Sequence, residues 1–125
     1  MQNYRQLRVS ARARELIRNT YSFTRSLPAD ERFGLISQMR RAALSVGLNI
    51  AEGCSRRSTK ELIRFLETSV GSANELDFAV LVCEDLHFGS SDGREELTAL
   101  INIIERELIA LIKSLRARLA TGSRK

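Results

Sequence analysis

The 125-residue sequence contains no tryptophan and only one proline and one histidine, and aromatic residues make up just 6% of it. This composition excludes a disordered or collagen-like chain, and it argues against a β-sandwich, which needs more turn residues and more β-branched or aromatic positions. No apolar run approaches the roughly 20 residues of a membrane-spanning helix, and no apolar signal core follows the basic amino terminus. We therefore expect a cytoplasmic protein that does not associate with membranes.

Groups that could carry catalysis or bind a metal are also scarce. His87 is the only histidine, and it has no metal-ligand spacing with the two cysteines, Cys54 and Cys83, which we interpret as small core thiols in a reducing compartment. No glycine-rich phosphate loop with a Gly-Lys-Ser ending is present. The sequence therefore predicts a protein that is not an enzyme and that holds neither a metal nor a cofactor.

The charge is unevenly distributed along the chain. The formal net charge is +5, but residues 1–64 hold 13 lysines and arginines against 5 acidic residues, whereas residues 65–125 hold 7 against 10. A strongly basic segment can attract and hold a polyanion. The alternative is that arginine, a good helix former, simply covers a solvated surface.

Hydrophobic residues recur at helical spacing in four stretches. We predict helices at about residues 10–27, 29–55, 59–88 and 92–120 of a single domain, 1–125. Pro28 ends the first stretch, and Ser58 with Glu61 has the pattern of a capping box at the start of the third. Because the connections are short, the helices should form an all-α, antiparallel, up-and-down four-helix bundle.

The fourth stretch carries more apolar positions than one bundle core requires. Beyond its main stripe it has Leu100, Ile103, Ile109 and Ile112. Such an excess is typical of a subunit interface, although a broad core stripe remains the alternative. We predict that Ile101 lies in the core of the bundle and that Ile112 lies at the subunit interface.

Small residues in the second and third stretches predict a close helix crossing with a polar cluster beside it. Residues 42–53 and 69–73 are rich in alanine, serine and glycine, which let two helices approach closely. Asn49, Glu52 and Glu75 do not fit an apolar packing role, and we expect them to meet near this crossing. We interpret these polar residues as structural, since no Glu-x-x-His accompanies the two glutamates as it does in di-iron bundles. The predicted structural motif comprises Asn49, Glu52, Gly53, Gly71, Ser72 and Glu75.

These motifs resemble one bacterial family. Residues 38–43 (Gln-Met-Arg-Arg-Ala-Ala), 49–53 (Asn-Ile-Ala-Glu-Gly) and 71–76 (Gly-Ser-Ala-Asn-Glu-Leu) are similar to the signature of four-helix-bundle proteins, some of which are encoded by intervening sequences in large-subunit ribosomal RNA genes. The chain departs from the family near the amino terminus, where Ser10 lies in the region in which a tryptophan is common. The accessory variability proteins of diversity-generating retroelements look similar in fold.

The resemblance implies a homo-oligomer, with a ring of five subunits as the favoured count, and it allows RNA or DNA as partners. A basic surface is the best functional feature in the residues themselves. We predict that it contacts phosphates through Arg40, Arg41, Arg56, Arg57, Lys60 and Arg64, several of which lie near a helix amino terminus, where an anion is favoured. The alternative is that these residues pair with acidic groups of the same or a neighbouring subunit.

Two functions remain open from the sequence. The first is a non-enzymatic, oligomeric accessory scaffold that binds nucleic acid with little sequence preference, because few aromatic residues are available for base stacking. The second is a structural adaptor that binds a protein partner and no nucleic acid.

Overall fold

The computed structural model describes residues 3–122, so residues 1–2 and 123–125 of the predicted domain lie outside the described residues. Over this range the chain forms four α-helices and no strand, which confirms the predicted all-α class. Two single turns of 3-10 helix, Tyr4–Gln6 and Ala29–Glu31, precede the first and second α-helices. The α-helices are α1 (Arg8–Thr24), α2 (Leu35–Cys54), α3 (Thr59–Asp85) and α4 (Ser91–Ala120).

The contacts between helices show an antiparallel, up-and-down arrangement. Between α2 and α3, the Ser69 hydroxyl donates to the Val46 carbonyl at 2.7 Å, and further along the pair Arg41 contacts Glu75 at 3.2 Å. Residue numbers therefore rise in one helix as they fall in the other, and the same holds for every neighbouring pair. The corresponding contacts are Arg40–Thr24 and Gly47–Ala13 for α1 and α2, and Arg12–Glu107 and Phe23–Gly93 for α1 and α4. For α3 and α4, Glu67 pairs with Arg116, and at the other end of the pair Glu84 and Ser91 line one cavity.

Helix α2 begins at Leu35, later than the predicted start at residue 29. Pro28 and the acidic residues after it form only the short turn Ala29–Glu31, and the Glu31 carboxylate then accepts from the Leu35 amide at 3.2 Å. A Cβ at Gly34 would lie 2.8 Å from that carboxylate oxygen. Glu31 therefore caps α2 across a glycine, an arrangement that helical periodicity does not reveal.

Two further helix ends differ from the predicted bounds. Helix α1 ends at Thr24, not at residue 27, and a turn occupies the residues before Pro28. Helix α3 ends at Asp85, not at residue 88, because His87 adopts φ 60° and the Phe88 amide turns back to the Cys83 carbonyl at 2.8 Å. A residue in the left-handed region is a common helix terminator, although it is usually glycine. The Ser58 cap is confirmed, since its hydroxyl accepts from the Glu61 amide at 3.1 Å.

One continuous hydrophobic core lies between the four helices and takes up most of the extra apolar residues of α4. Leu100 and Ile112 are only 5% and 6% exposed, so the prediction that Ile112 marks an interface is wrong, while Ile101 is fully buried as expected. Ile103 is half-buried, and Ile109 alone of the four extra residues stays largely exposed, at 54%.

Both cysteines are free and buried at opposite ends of this core. Burial raises the pKa of the Cys54 and Cys83 thiols, so at neutral pH both are protonated packing groups. Cys83 lies against Met39, with the two sulfur atoms 3.8 Å apart.

Candidate nucleic-acid interface

The antiparallel topology collects basic segments at one end of the bundle. The start of α1, the α2–α3 connection and the end of α4 lie together there, as the Arg12–Glu107 ion pair at 3.6 Å and the Glu67–Arg116 pair show. We define this basic end as residues 3–14, 52–67 and 107–122, and the acidic end as the remaining described residues, 15–51 and 68–106.

Charge differs sharply between the two ends. The basic end holds eleven basic against four acidic residues, and the acidic end holds seven against eleven. The basic residues of the basic end are Arg5, Arg8, Arg12, Arg14, Arg56, Arg57, Lys60, Arg64, Lys113, Arg116 and Arg118. The uneven charge of the linear sequence therefore becomes a charge separation along the bundle axis.

Three of the six predicted phosphate-binding residues are free to meet a ligand. Arg57 lies in the α2–α3 connection, and Lys60 and Arg64 lie on the first two turns of α3; all three side chains are exposed. Within the described residues, none of them forms an ion pair or a side-chain hydrogen bond. No direct partner among residues 3–122 therefore neutralises the charge of these three cations.

Arg56 is exposed but has partners at the same end. Its guanidinium forms an ion pair with Glu52 and lies 4.9 Å from the centre of the Phe65 ring. The ion pair joins the last turn of α2 to the α2–α3 connection, and the ring contact ties this connection to α3. Arg56 therefore stabilises the α2–α3 connection that presents Arg57 and Lys60.

Arg40 and Arg41 lie in the acidic end, away from the other four predicted residues. Arg40 donates through Nε to the Thr24 hydroxyl at 2.9 Å and through Nη2 to the Tyr21 carbonyl at 3.5 Å, and its guanidinium lies 4.5 Å from the Tyr21 ring centre. Arg40 therefore ties α2 to the carboxyl-terminal turn of α1. Arg41 pairs with Glu75 across the α2–α3 contact. The structure does not bring the six basic residues into one cluster.

The predicted polar cluster also does not assemble, and that expectation is wrong. Glu75 pairs with Arg41, Glu52 pairs with Arg56 at the opposite end, and the Asn49 amide donates within α2 to the Ser45 carbonyl at 2.9 Å. The three side chains are spread along the α2–α3 contact because antiparallel register separates residues 52 and 75.

Hydroxyl groups hold α2 and α3 together instead. The Ser45 and Ser72 hydroxyls lie 2.7 Å apart, and the fully buried Ser69 donates to the Val46 carbonyl. The sequence pattern predicted Ser69 only as a small packing residue. Its hydrogen bond to the Val46 carbonyl depends on how α2 and α3 face each other. Ser72 is the one member of the predicted structural motif that bonds directly across the buried side of this contact.

The two glycines of that motif differ in their surroundings. A Cβ at Gly53 would lie 2.9 Å from the Phe65 Cβ and 3.1 Å from a Leu62 methyl, whereas a Cβ at Gly71 would meet nothing within 4 Å. The close approach of α2 and α3 is thus at Gly53, within the basic end.

The family model described as 23S rRNA-intervening sequence protein matches residues 5–110. The chain belongs to the 23S rRNA-intervening sequence protein family. A crystal structure of a protein of unknown function from the S23 ribosomal protein family of Bacteroides thetaiotaomicron superposes with a TM-score of 0.75 at 24% identity, over 84% of this chain and 98% of that one. No curated protein matches the chain.

Membership in the 23S rRNA-intervening sequence family confirms the resemblance seen in the motifs, and this is not a known enzyme family. The matched range contains all six basic residues that the sequence predicted, but it ends before Lys113, Arg116 and Arg118. Sequence reasoning missed these three cations because they lie in the half of the chain with a net negative charge. The signal that could have found them is the even number of antiparallel helices, which returns α4 to the basic end.

The described residues contain neither of two further features, a metal-binding cluster and a membrane-spanning helix. Across residues 3–122, no group of three or more histidine, cysteine, aspartate or glutamate side chains could hold a metal ion. None of the helices described is long and apolar enough to cross a bilayer.

Proposed function

We propose that this chain is a non-enzymatic, homo-oligomeric accessory protein of the cytoplasm that binds nucleic acid through its basic end. The family name favours RNA as the partner. Charge separation along the bundle is the observation that carries the proposal, because it places Arg57, Lys60 and Arg64 on a surface with few acidic neighbours.

Phosphate contact explains this surface better than base recognition does. Tyr4 is the one large aromatic side chain of the basic end that is substantially exposed, at 38%, while Phe65 lies beneath the Arg56 guanidinium. Binding of the backbone by cations carries no sequence information by itself. We therefore expect affinity to depend strongly on salt and weakly on sequence.

The proposal includes assembly of several copies. Leu48, Phe78, Leu81 and Ile109 are each more than half exposed, which is more exposed apolar area than a solitary bundle needs. Only the resemblance to the family supports five as the number of subunits. Several basic ends on one particle would raise the affinity for a long polyanion through multivalency.

The test is a comparison of two triple variants that remove the same charge from opposite ends. We expect Arg57→Ala/Lys60→Ala/Arg64→Ala to weaken binding to RNA and DNA oligonucleotides of any sequence. The slope of log affinity against log salt should become shallower by about 2 to 3 units, because each lost phosphate contact removes about 0.7 to 0.9.

The control is Arg18→Ala/Arg25→Ala/Arg32→Ala, which changes three exposed arginines of the acidic end. We expect its affinity and salt slope to stay close to those of the parent. Equal losses in both triple variants would show that net charge, and not the basic end, governs binding. If the parent protein binds no oligonucleotide at about 50 mM salt, the protein–protein adaptor becomes the better function.

A further inference from the structure

We propose that a groove between α3 and α4 at the acidic end binds a basic, amphipathic helical segment of another protein. This surface, here the acidic groove, is lined by Val80, Leu81, Glu84, Glu95, Thr98 and Asn102, among others. It lies apart from the basic end, and its use does not depend on nucleic-acid binding.

The acidic groove has an apolar floor. Its volume is 450 Å³, and Val80, Leu81 and Ala99 form its apolar part. Leu81 is 51% exposed, and Phe78, one turn earlier on α3, is 68% exposed. Exposed apolar side chains beside a groove are typical of a surface that receives the apolar stripe of another helix.

Carboxylates surround this floor. Glu84 of α3 and Glu95 of α4 line the groove, and both are exposed. Asp77 lies one turn before the groove on α3, and Glu105 lies one turn beyond it on α4. Within the described residues, none of these four carboxylates forms an ion pair. They therefore remain available to cations of a partner.

The arginines nearest the groove do not neutralise it. Arg94 lines the groove, but its Nη1 donates to the Phe88 and Gly89 carbonyls at 2.9 Å and so holds the α3–α4 connection. Arg106 is exposed on α4 and forms no ion pair within residues 3–122. Four carboxylates against these two arginines leave a net charge of −2, which attracts a basic partner.

One pair of carboxylates indicates where a cation of the partner would lie. Glu105 Oε2 is buried and has no hydrogen-bond partner within the described residues. Burial and the neighbouring carboxylate of Asp77 raise the pKa of Glu105. A lysine or arginine of the partner beside these two side chains would supply the positive charge that the pair lacks.

The spacing of the four carboxylates sets the length of the partner segment. Asp77 and Glu84 are 7 residues apart on α3, and Glu95 and Glu105 are 10 residues apart on α4. At about 1.5 Å per residue these spans are about 10 and 15 Å, or two to three helical turns. The fitting segment is a helix of that length with leucine-sized side chains in its centre and lysine or arginine near both ends.

A second copy of this chain does not offer such a segment. In the described chain, no large apolar side chain within four residues of Arg57, Lys60 or Arg64 is largely exposed. Ile109 of α4 is exposed, but Glu105 lies one turn before it and would meet the carboxylates of the groove. Charge and apolar surface together therefore favour a different protein as the occupant.

The exposed apolar side chains then have two separate uses. Phe78 and Leu81 face the partner protein, and Leu48 and Ile109 remain for contacts between copies. The mass of the protein without a partner therefore should not depend on the acidic groove.

The probe is a fluorescent synthetic peptide of about 14 residues, roughly 21 Å long as a helix, with leucines at helical spacing and lysines around them. A control peptide has the same residues in an order that breaks the apolar stripe. Binding is followed by fluorescence anisotropy without nucleic acid. We expect the amphipathic peptide to bind at least tenfold more tightly than the control, because only it places leucines on the floor and lysines at the carboxylates.

Two double variants test the carboxylates. We expect Glu84→Gln/Glu95→Gln to weaken binding of the amphipathic peptide at least tenfold. The matched control is Asp92→Asn/Glu96→Gln, which removes the same charge from the same end of the bundle, since these two exposed carboxylates line a different cavity beside α1. The control should bind the peptide as the parent does.

Two leucine variants test the apolar floor. Leu81→Ser should weaken peptide binding, whereas Leu48→Ser, which changes a more exposed leucine of α2, should leave it unchanged. Circular dichroism checks the folding of each variant. Light scattering of Leu81→Ser without peptide should give the parent mass, because the acidic groove is not a contact between copies.

Several outcomes would overturn the proposal. Equal binding of the two peptides, or equal losses in the two carboxylate variants, would mean that net charge alone attracts the peptide. A changed mass of Leu81→Ser would make the acidic groove an interface between copies. Arg57→Ala/Lys60→Ala/Arg64→Ala should bind the peptide as the parent does, so a failure at the basic end and a failure at the acidic groove are separately visible.

Discussion

Replacing each of two helical glycines by alanine should change the stability of the bundle in opposite directions. Gly71 and Gly53 both lie within α-helices and both belong to the motif that characterises this sequence. A sequence comparison would treat them alike. Their surroundings differ, and this difference sets the sign of the effect.

Gly71→Ala should raise the free energy of unfolding by up to about 1 kcal/mol. The new Cβ meets nothing within 4 Å, so the helix gains the difference in propensity between alanine and glycine without any clash.

Gly53→Ala should lower the free energy of unfolding by about 1 kcal/mol or more. The new Cβ would lie 2.9 Å from the Phe65 Cβ, and both atoms are fixed by their backbones, so no rotamer change can relieve the contact. Carbon atoms prefer about 3.5 to 4.0 Å, and α2 and α3 must therefore move apart by roughly 0.6 to 1 Å. Overpacking of this kind costs about 1 to 3 kcal/mol, which exceeds the gain in propensity.

Thermal unfolding followed by circular dichroism at one protein concentration tests this pair. With about 4 °C per kcal/mol for a chain of this size, the two melting temperatures should differ by about 8 °C, with Gly71→Ala the higher. The mass of each variant is measured as well, because a change in assembly would also shift the melting temperature. Equal melting temperatures, or a more stable Gly53→Ala variant, would refute the argument from close approach.

Four further substitutions test individual side chains. Arg40→Ala should lower the free energy of unfolding by about 1 to 2 kcal/mol in urea and leave the salt slope of nucleic-acid binding unchanged, because Arg40 bonds the end of α1. Asn49→Ala should cost about 1 kcal/mol in the same assay, whereas Glu75→Ala, which breaks an exposed ion pair, should cost less than that. Glu105→Gln should raise the free energy of unfolding at pH 7, because burial and the neighbouring carboxylate of Asp77 raise the pKa of Glu105 and its ionised form opposes folding. That gain should vanish below about pH 4.5, where the carboxyl is protonated in both states; a gain that persists there would contradict the assignment.

The helices could be predicted from the sequence because their signals are local. Apolar spacing, the Ser58 cap and Pro28 act within one or two turns, so the positions of the four helices follow from them. The start of α2 was misplaced because the Glu31 cap depends on a carboxylate reaching across Gly34. The end of α3 was misplaced because His87 takes a conformation that is usual for glycine.

The candidate site was harder to predict because partners across helices depend on register. Arg40 and Arg57 look alike in the sequence, yet the first bonds the end of α1 and the second is free. Arg116 was missed for a different reason, since it lies in the half of the sequence that carries a net negative charge. The residue types determine where charges occur along the sequence. The antiparallel pairing of the helices determines which of these charges lie on one surface.

An even number of antiparallel helices has a practical consequence for any attachment to this protein. The described chain starts with Tyr4–Gln6 and finishes with the last turn of α4, and both lie at the basic end. A tag or fused domain joined at either terminus therefore emerges beside Arg57 and Lys60, where it can block or imitate binding of a polyanion. The connections 25–34 and 86–90 lie at the far end, about 45 Å away along α4. A fluorophore or surface anchor placed there would leave the cationic surface open to solution.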